Sequence, residues 1–253
     1  QAKNDTSSNS QVDMLKKLEL DQDCFARLLE YSKKKDIKFM STAFDLSSAN
    51  FLVNQLGQDI LKIPSGEIVN APYLLGHSRY KKKMILSTGM ATLAEIENAL
   101  GVLAFGLLSK ADERPSPEAF VSAYISEDGQ ALLKENVSLL HCTTEYPAPF
   151  EDINLRCIQT LASSFGLQTG FSDHSDGISV PMASVALGAS IIEKHFTIDN
   201  DLPGRDNKFA ILPAELAKLR EGCDRYVSMI IKNKGLLKGD QEIRKVYSGR
   251  WGQ

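Results

Sequence analysis

The chain is predicted to be an α/β protein, a parallel sheet wrapped by helices, and three observations carry that prediction. Short apolar runs of strand character recur along the 253 residues. Most are followed by a helix pattern, and polar residues gather where each run ends. Alternation of this kind sets strands side by side in parallel and covers the sheet with helices. Six β-α units are countable, whereas a closed barrel of such units needs eight, so the expected architecture is an incomplete barrel.

Residues 1–12 read as a polar leader with no apolar stretch of the sort a signal peptide carries. Helix signals begin near Asp21: Phe25, Leu28 and Leu29 mark one apolar face, and Lys33, Lys34 and Lys35 close it favourably for the dipole. Strand-like runs follow at Ile37–Thr42, Ile60–Pro64, Met84–Thr88, Val137–Thr143, Gln168–Ser172 and Ser190–His195. Thr92 with Glu95 makes a capping box before Ile96 and Leu100. Leu155, Ile158, Leu161 and Phe165 share a helical face, and Pro213 opens a helix carrying Leu216, Leu219 and Tyr226. The stretch 109–130, with Pro115, Pro117 and Gly129, reads as a surface insertion. Residues 13–237 form the expected partial barrel domain, and 238–253 read as a tail or linker too short to be a second domain.

Composition narrows the function classes. A hydrophobic fraction of 43% with 24% charged residues is ordinary for a globular domain. The formal net charge of -3 gives no reason to expect a nucleic-acid partner, so any anionic ligand must be met by local positive groups. The longest apolar stretches fall short of the roughly 20 residues a membrane span requires. Cys24, Cys142, Cys157 and Cys223 are scattered without a CxxC pair, as expected of free thiols in a reducing compartment. A cytoplasmic enzyme is the expectation.

The residues able to do chemistry lie at strand ends, the edge where parallel α/β folds keep their active sites. His174, in Ser-Asp-His-Ser, and His195, in Glu-Lys-His-Phe, close two consecutive strands in a chain with only four histidines. Two imidazoles so placed can share a divalent cation. Alternation puts Ser172 and His174 on one face, and Ile191, Glu193 and His195 likewise. Lys194 then points toward the helices and is a poor catalytic candidate. Glu193 reads as the partner of a buried cation or of a metal-bound histidine. Lys62 stands on an otherwise apolar strand, where an ammonium is costly unless it meets an anion. With the Ser and Thr hydroxyls at neighbouring strand ends it makes a phosphate-binding set beside a Lewis-acid site. His77 and His141 read as loop and core histidines.

These runs resemble the sialic acid synthase family, whose members condense phosphoenolpyruvate with an N-acetylated aldose. The pieces are Ser-Thr-Ala-Phe-Asp (41–45), Lys-Ile-Pro-Ser-Gly-Glu (62–67), Ile-Leu-Ser-Thr-Gly-Met (85–90), His-Cys-Thr-Thr-Glu-Tyr-Pro-Ala-Pro (141–149), Ser-Asp-His (172–174), Glu-Lys-His-Phe (193–196) and Pro-Gly-Arg-Asp (203–206). The resemblance implies a (β/α)8 TIM barrel followed by a small antifreeze-like domain. The family's Ala-Glu-Ile-Gly and Lys-Phe-Gln motifs, carried by its first two strands, do not occur here. A fragment lacking those strands and the C-terminal domain is therefore expected.

Carried over residue by residue, the resemblance implies that His174 and His195 hold a divalent metal, Mn2+ foremost, with Mg2+ or Co2+ as alternatives. Lys62, Ser87 and Ser172 would contact phosphoenolpyruvate, with Thr42 and Ser65 nearby. Phe44, Tyr146 and Asp206 would surround the amino sugar together with Glu67, which would also activate water or transfer a proton. The implied reaction joins phosphoenolpyruvate, N-acetylmannosamine and water into N-acetylneuraminic acid and phosphate, by a homodimer. The same chemistry on another sugar, as in legionaminic or pseudaminic acid synthases, and an inactive truncated barrel are the alternatives.

Overall fold

In a computed structural model, which describes residues 16, 18–110, 112–204 and 206–230, the strand-like runs assemble into one parallel sheet. Strands β1 (Ile60–Ile63), β2 (Lys83–Ser87), β3 (Val137–Cys142), β4 (Gln168–Asp173) and β5 (Ile192–Lys194) pair in chain order, every pair parallel. The helices are α1 (Gln22–Lys34), α2 (Leu46–Asn50, running into a π turn at Phe51–Gln55), α3 (Ala71–Ser78), α4 (Leu93–Leu108), α5 (Pro117–Ile125), α6 (Glu127–Asn136), α7 (Cys157–Phe165), α8 (Ser179–Ala186) and α9 (Pro213–Met229). The predicted leader and tail lie outside the described residues.

Side-chain alternation divides the sheet into an apolar face and a polar one. Leu61, Ile63, Met84, Leu86, Val137 and Leu139 are buried in a cluster with Leu74, Ile96, Leu100 and Leu103 from the covering helices. Their neighbours Lys62, Ser87, Cys142, Ser172 and Glu193 take the opposite face. That face is concave. Neighbouring strands lie ~4.8 Å apart, so the first and fifth strands of a flat sheet would stand roughly 19 Å apart. Yet the Lys62 ammonium on β1 lies 3.2 Å from the Glu193 carboxylate on β5, which only a sheet curled toward a barrel permits. Gly170 keeps the curl tight: a Cβ there would lie 2.5 Å from the Ile191 carbonyl oxygen and 2.6 Å from Leu140 Cδ2.

Local signals explain most helix starts. Asp21 accepts from Cys24 N at 2.8 Å and Asp45 from Ser48 N at 2.8 Å, each holding one of the amides that a first helical turn leaves without a partner. The expected Thr92–Glu95 capping box forms, and Pro213 stands in the first turn of α9. In α1, Phe25 packs edge-on against Phe39 and Phe51, while Leu28 is exposed.

Two expectations are corrected. Residues 37–42 are extended but join no sheet, leaving five strands among the described residues rather than six. The Gln58 side chain accepts from Ser41 N and donates to Ser41 O, both at 2.9 Å. A side-chain amide thus takes the backbone groups a strand ladder would have used. The stretch 109–130 is not an irregular insertion either. It contains α5 and the start of α6, capped by Ser116 and Ser126, and Phe120 packs edge-on against Phe105 of α4 at 5.4 Å. Pro117 lies in the first turn of α5, where a missing N–H costs nothing.

His77, read from the sequence as a loop histidine, instead lies within α3 and faces the core. It is fully buried, its Nδ1 lies 2.9 Å from the Tyr73 carbonyl oxygen, and its Nε2 has no partner. Burial pushes its pKa below the ordinary imidazole value. The unfolded chain therefore binds the proton more readily, and stability contributed by neutral His77 is lost as pH falls through about 6.5. Replacing His77 with Phe is expected to flatten the acid side of the stability curve by up to ~1.4 kcal/mol per pH unit, read from urea unfolding between pH 7 and 5.

Candidate active site

The ends of β3, β4 and β5 bring the two predicted histidines face to face. The ring centroids of His174 and His195 are 5.5 Å apart, at an interplanar angle of 57°. His174 follows directly on β4, and the Thr143 carbonyl oxygen, just past β3, lies 2.7 Å from its Nδ1. A neutral ring donating that proton leaves Nε2 bare on the concave side. His195 follows β5, and Ile211 N donates to its carbonyl oxygen at 2.9 Å. That bond folds the 206–211 loop back over the ring, with Asp206 Oδ2 at 3.7 Å from Nδ1 and the Phe209 ring centroid at 5.2 Å. Tyr146 covers both imidazoles, its centroid 4.1 Å from His174 and 5.9 Å from His195. Its loop is tied down by Ala148 N donating to the His174 carbonyl oxygen at 2.9 Å.

Burial is the main cause of a lowered pKa at both rings, opposed at His174 by the Thr143 carbonyl and at His195 by Asp206. Neutral imidazoles are the form that binds metal, and each has an oxygen near Nδ1 to orient it. The pair therefore suits a divalent cation. Among the described residues no group of three or more His, Cys, Asp or Glu side chains converges as a metal cage; the two facing imidazoles are the donors that could hold one.

Beside the histidines lies a cradle of polar groups. Glu193 receives the Lys62 ammonium at 3.2 Å on one carboxylate oxygen and the Ser172 hydroxyl at 2.7 Å on the other. Ser172 Oγ is also 3.5 Å from His174 Nε2. Ser87 is buried on the same face with its hydroxyl unpartnered. Ser65 Oγ accepts from Gly89 N at 2.9 Å and lies 3.2 Å from Cys142 Sγ. Gly89 itself is packed so closely that a Cβ would fall 2.4 Å from Thr144 Oγ1 and 2.7 Å from Cys142 Sγ.

The structure thus gathers Lys62, Ser172, His174, His195, Tyr146 and Asp206 into one contact network, with Ser87 on the same wall. Glu67 stands apart: it accepts from Asn70 at 2.7 Å, and no hydrogen bond or ion pair among the described residues links it to Lys62, Ser172, His174 or His195. Thr42 is half-buried in the extended segment, and Phe44 is exposed at its end. Glu193, read from the sequence as the partner of a buried cation or of a metal-bound histidine, meets the Lys62 ammonium and is the hub of the cradle. Its alternation with His195 was the available signal. Phe209 had none.

Behind this face, Lys194 points toward the helices, as alternation required. Its ammonium meets Asp173 Oδ2 at 2.7 Å, with side-chain exposures of 4% and 0%, and also reaches the Ser175 carbonyl oxygen. Asp173 and Lys194 are register partners across β4 and β5, each immediately preceding one of the facing histidines. Replacing Lys194 alone with Met strands a fully buried carboxylate and is expected to cost about 3–5 kcal/mol in urea unfolding. The double change Asp173→Asn with Lys194→Met should cost much less.

Comparison with known proteins places the chain. The NeuB family profile matches residues 1–234. The N,N'-diacetyllegionaminic acid synthase of Campylobacter jejuni is 46% identical over 219 residues, covering 87% of this chain and 58% of that protein. The enzyme of the same name from Legionella pneumophila is 41% identical over 219 residues, covering 87% and 55%. The crystal structure of the N-acetylneuraminic acid synthetase of Leptospira borgpetersenii, solved with citrate, superposes with a TM-score of 0.79 at 33% identity, covering 96% of this chain and 75% of that one. The chain spans little more than half the length of the two curated relatives.

Proposed function

Because the chain belongs to the NeuB family, we propose that it carries barrel machinery of a nonulosonic acid synthase that joins phosphoenolpyruvate to an open-chain N-acetylated amino sugar. One observation carries the reading: a buried ammonium and two buried hydroxyls share a concave wall with a facing pair of imidazoles. An anionic enol ester needs the first set, and an aldehyde awaiting attack needs an electrophile beside it.

In this reading Lys62 neutralises the anion of phosphoenolpyruvate, and the Ser172 and Ser87 hydroxyls donate to its oxygens. Ser65, held by Gly89 N, and Thr42 are the further hydroxyls assigned to the anion. His174 and His195 would hold a divalent cation, Mn2+ being the expected ion. Such a cation, when bound, would polarise the aldehyde oxygen and stabilise negative charge there. C3 of the enolpyruvyl group bonds to the aldehyde carbon, whose oxygen gains a proton. Water adds at C2, and phosphate leaves from C2 to give a 2-keto acid. Tyr146, Asp206 and Phe44 face the sugar, and Glu67 is assigned the proton transfer to or from water.

Two relatives are named for N,N'-diacetyllegionaminic acid, which supports a sugar bearing two acetamido groups. N-acetylmannosamine, giving N-acetylneuraminic acid, is the second reading, supported by the solved synthetase. Phosphate release from phosphoenolpyruvate with Mn2+, assayed with each sugar separately, decides between them; no release with either ends the proposal. In the same assay Lys62→Ala is expected to raise KM for phosphoenolpyruvate by about 10- to 100-fold, the worth of a charged hydrogen bond. His195→Ala should lose bound metal and turnover together. Full metal content in that variant overturns the histidine assignment.

A further inference from the structure

Glu193 spans the cradle with both oxygens, taking the Lys62 ammonium at 3.2 Å and the Ser172 hydroxyl at 2.7 Å. Those are the donors that the oxygens of a small anion would seek. The two members of the ion pair are unequal: the Lys62 side chain is 9% exposed and that of Glu193 41%. Glu193 can turn toward water at small cost, whereas Lys62 cannot leave without abandoning its burial. Ser87, on the strand next to Lys62, offers a buried hydroxyl with no partner. The cradle holds more donors than its resident carboxylate uses.

We propose that Glu193 is a built-in stand-in for the ligand's anionic group: it neutralises Lys62 in the free protein and is displaced when a phosphate or carboxylate enters. The proposal rests on the function above only in naming phosphoenolpyruvate as the anion. Two consequences follow from linkage. The pocket never leaves a buried ammonium unpaired, and the affinity for ligand is reduced by the work of parting Lys62 from Glu193.

The test uses inorganic phosphate and phosphoenolpyruvate, titrated calorimetrically into the wild-type chain and Glu193→Gln. Unfolding is followed with and without saturating ligand. Displacement predicts that Glu193→Gln destabilises the free protein, leaves the saturated protein as stable as wild type, and tightens both anions roughly tenfold, the worth of one charge-assisted hydrogen bond. Equal destabilisation of free and saturated protein with unchanged affinity means Glu193 stays on Lys62 and overturns the proposal. Tightening that disappears in high salt, with no loss of free stability, marks distant repulsion and also overturns it. If Glu193→Gln does not fold, the 13C carboxylate resonance of Glu193 in the wild type serves instead: it must shift on phosphate saturation, and a fixed resonance refutes displacement. Wild-type binding of phosphate but not of phosphoenolpyruvate removes the substrate reading alone, whereas binding of neither removes this one.

Discussion

A lysine on the first strand held by a glutamate on the fifth is the contact from which the rest of this structure follows. It requires the sheet to bend, and bending assigns the two faces their roles. The convex face gathers Leu61, Ile63, Met84, Leu86, Val137 and Leu139 under the helices. The concave face collects polar groups from separate strands within reach of one small molecule. A lysine buried among Ile60, Leu61 and Ile63 would be a defect in a flat sheet. In a curled one its ammonium is balanced across the hollow by Glu193.

The strand β5 carries two opposite charges on its two faces, each met by a partner from another strand. Glu193 turns inward to Lys62 and Lys194 turns outward to Asp173. His195 comes next, under Tyr146 and Phe209. Burial is the largest cause of that ring's lowered pKa, opposed first by the Asp206 carboxylate. The register pair Asp173 and Lys194 also fixes how far apart the backbones of His174 and His195 can stand, so the facing geometry is inherited from the sheet.

What the sequence made legible were features whose cause is local. Short apolar runs located β1 to β5, period-two alternation oriented Lys194 away from Glu193, and the Thr92–Glu95 spacing located the start of α4. The misses have distant causes. Residues 37–42 have strand composition, but the Gln58 side chain occupies the backbone groups of Ser41, and no pattern within the segment announces that. Pro115, Pro117 and Gly129 read as loop punctuation, although Pro117 starts α5 and Gly129 N donates to the Ser126 cap at 3.0 Å. At the site, alternation put Glu193 on the histidine face, while its bond to Lys62 depends on curvature that single-strand patterns do not encode. Phe209 reaches His195 through a loop closed by one backbone bond from Ile211.

Gly89 sets a boundary for anyone wishing to broaden what this pocket accepts. Its amide anchors Ser65, and the space a methyl group would need is already filled by Thr144, Cys142 and Ser65. Saturation libraries aimed at altered ligand preference would gain nothing from changes at position 89. Diversity is better directed to the roof, where the rings of Tyr146 and Phe209, with centroids 6.2 Å apart, define the volume.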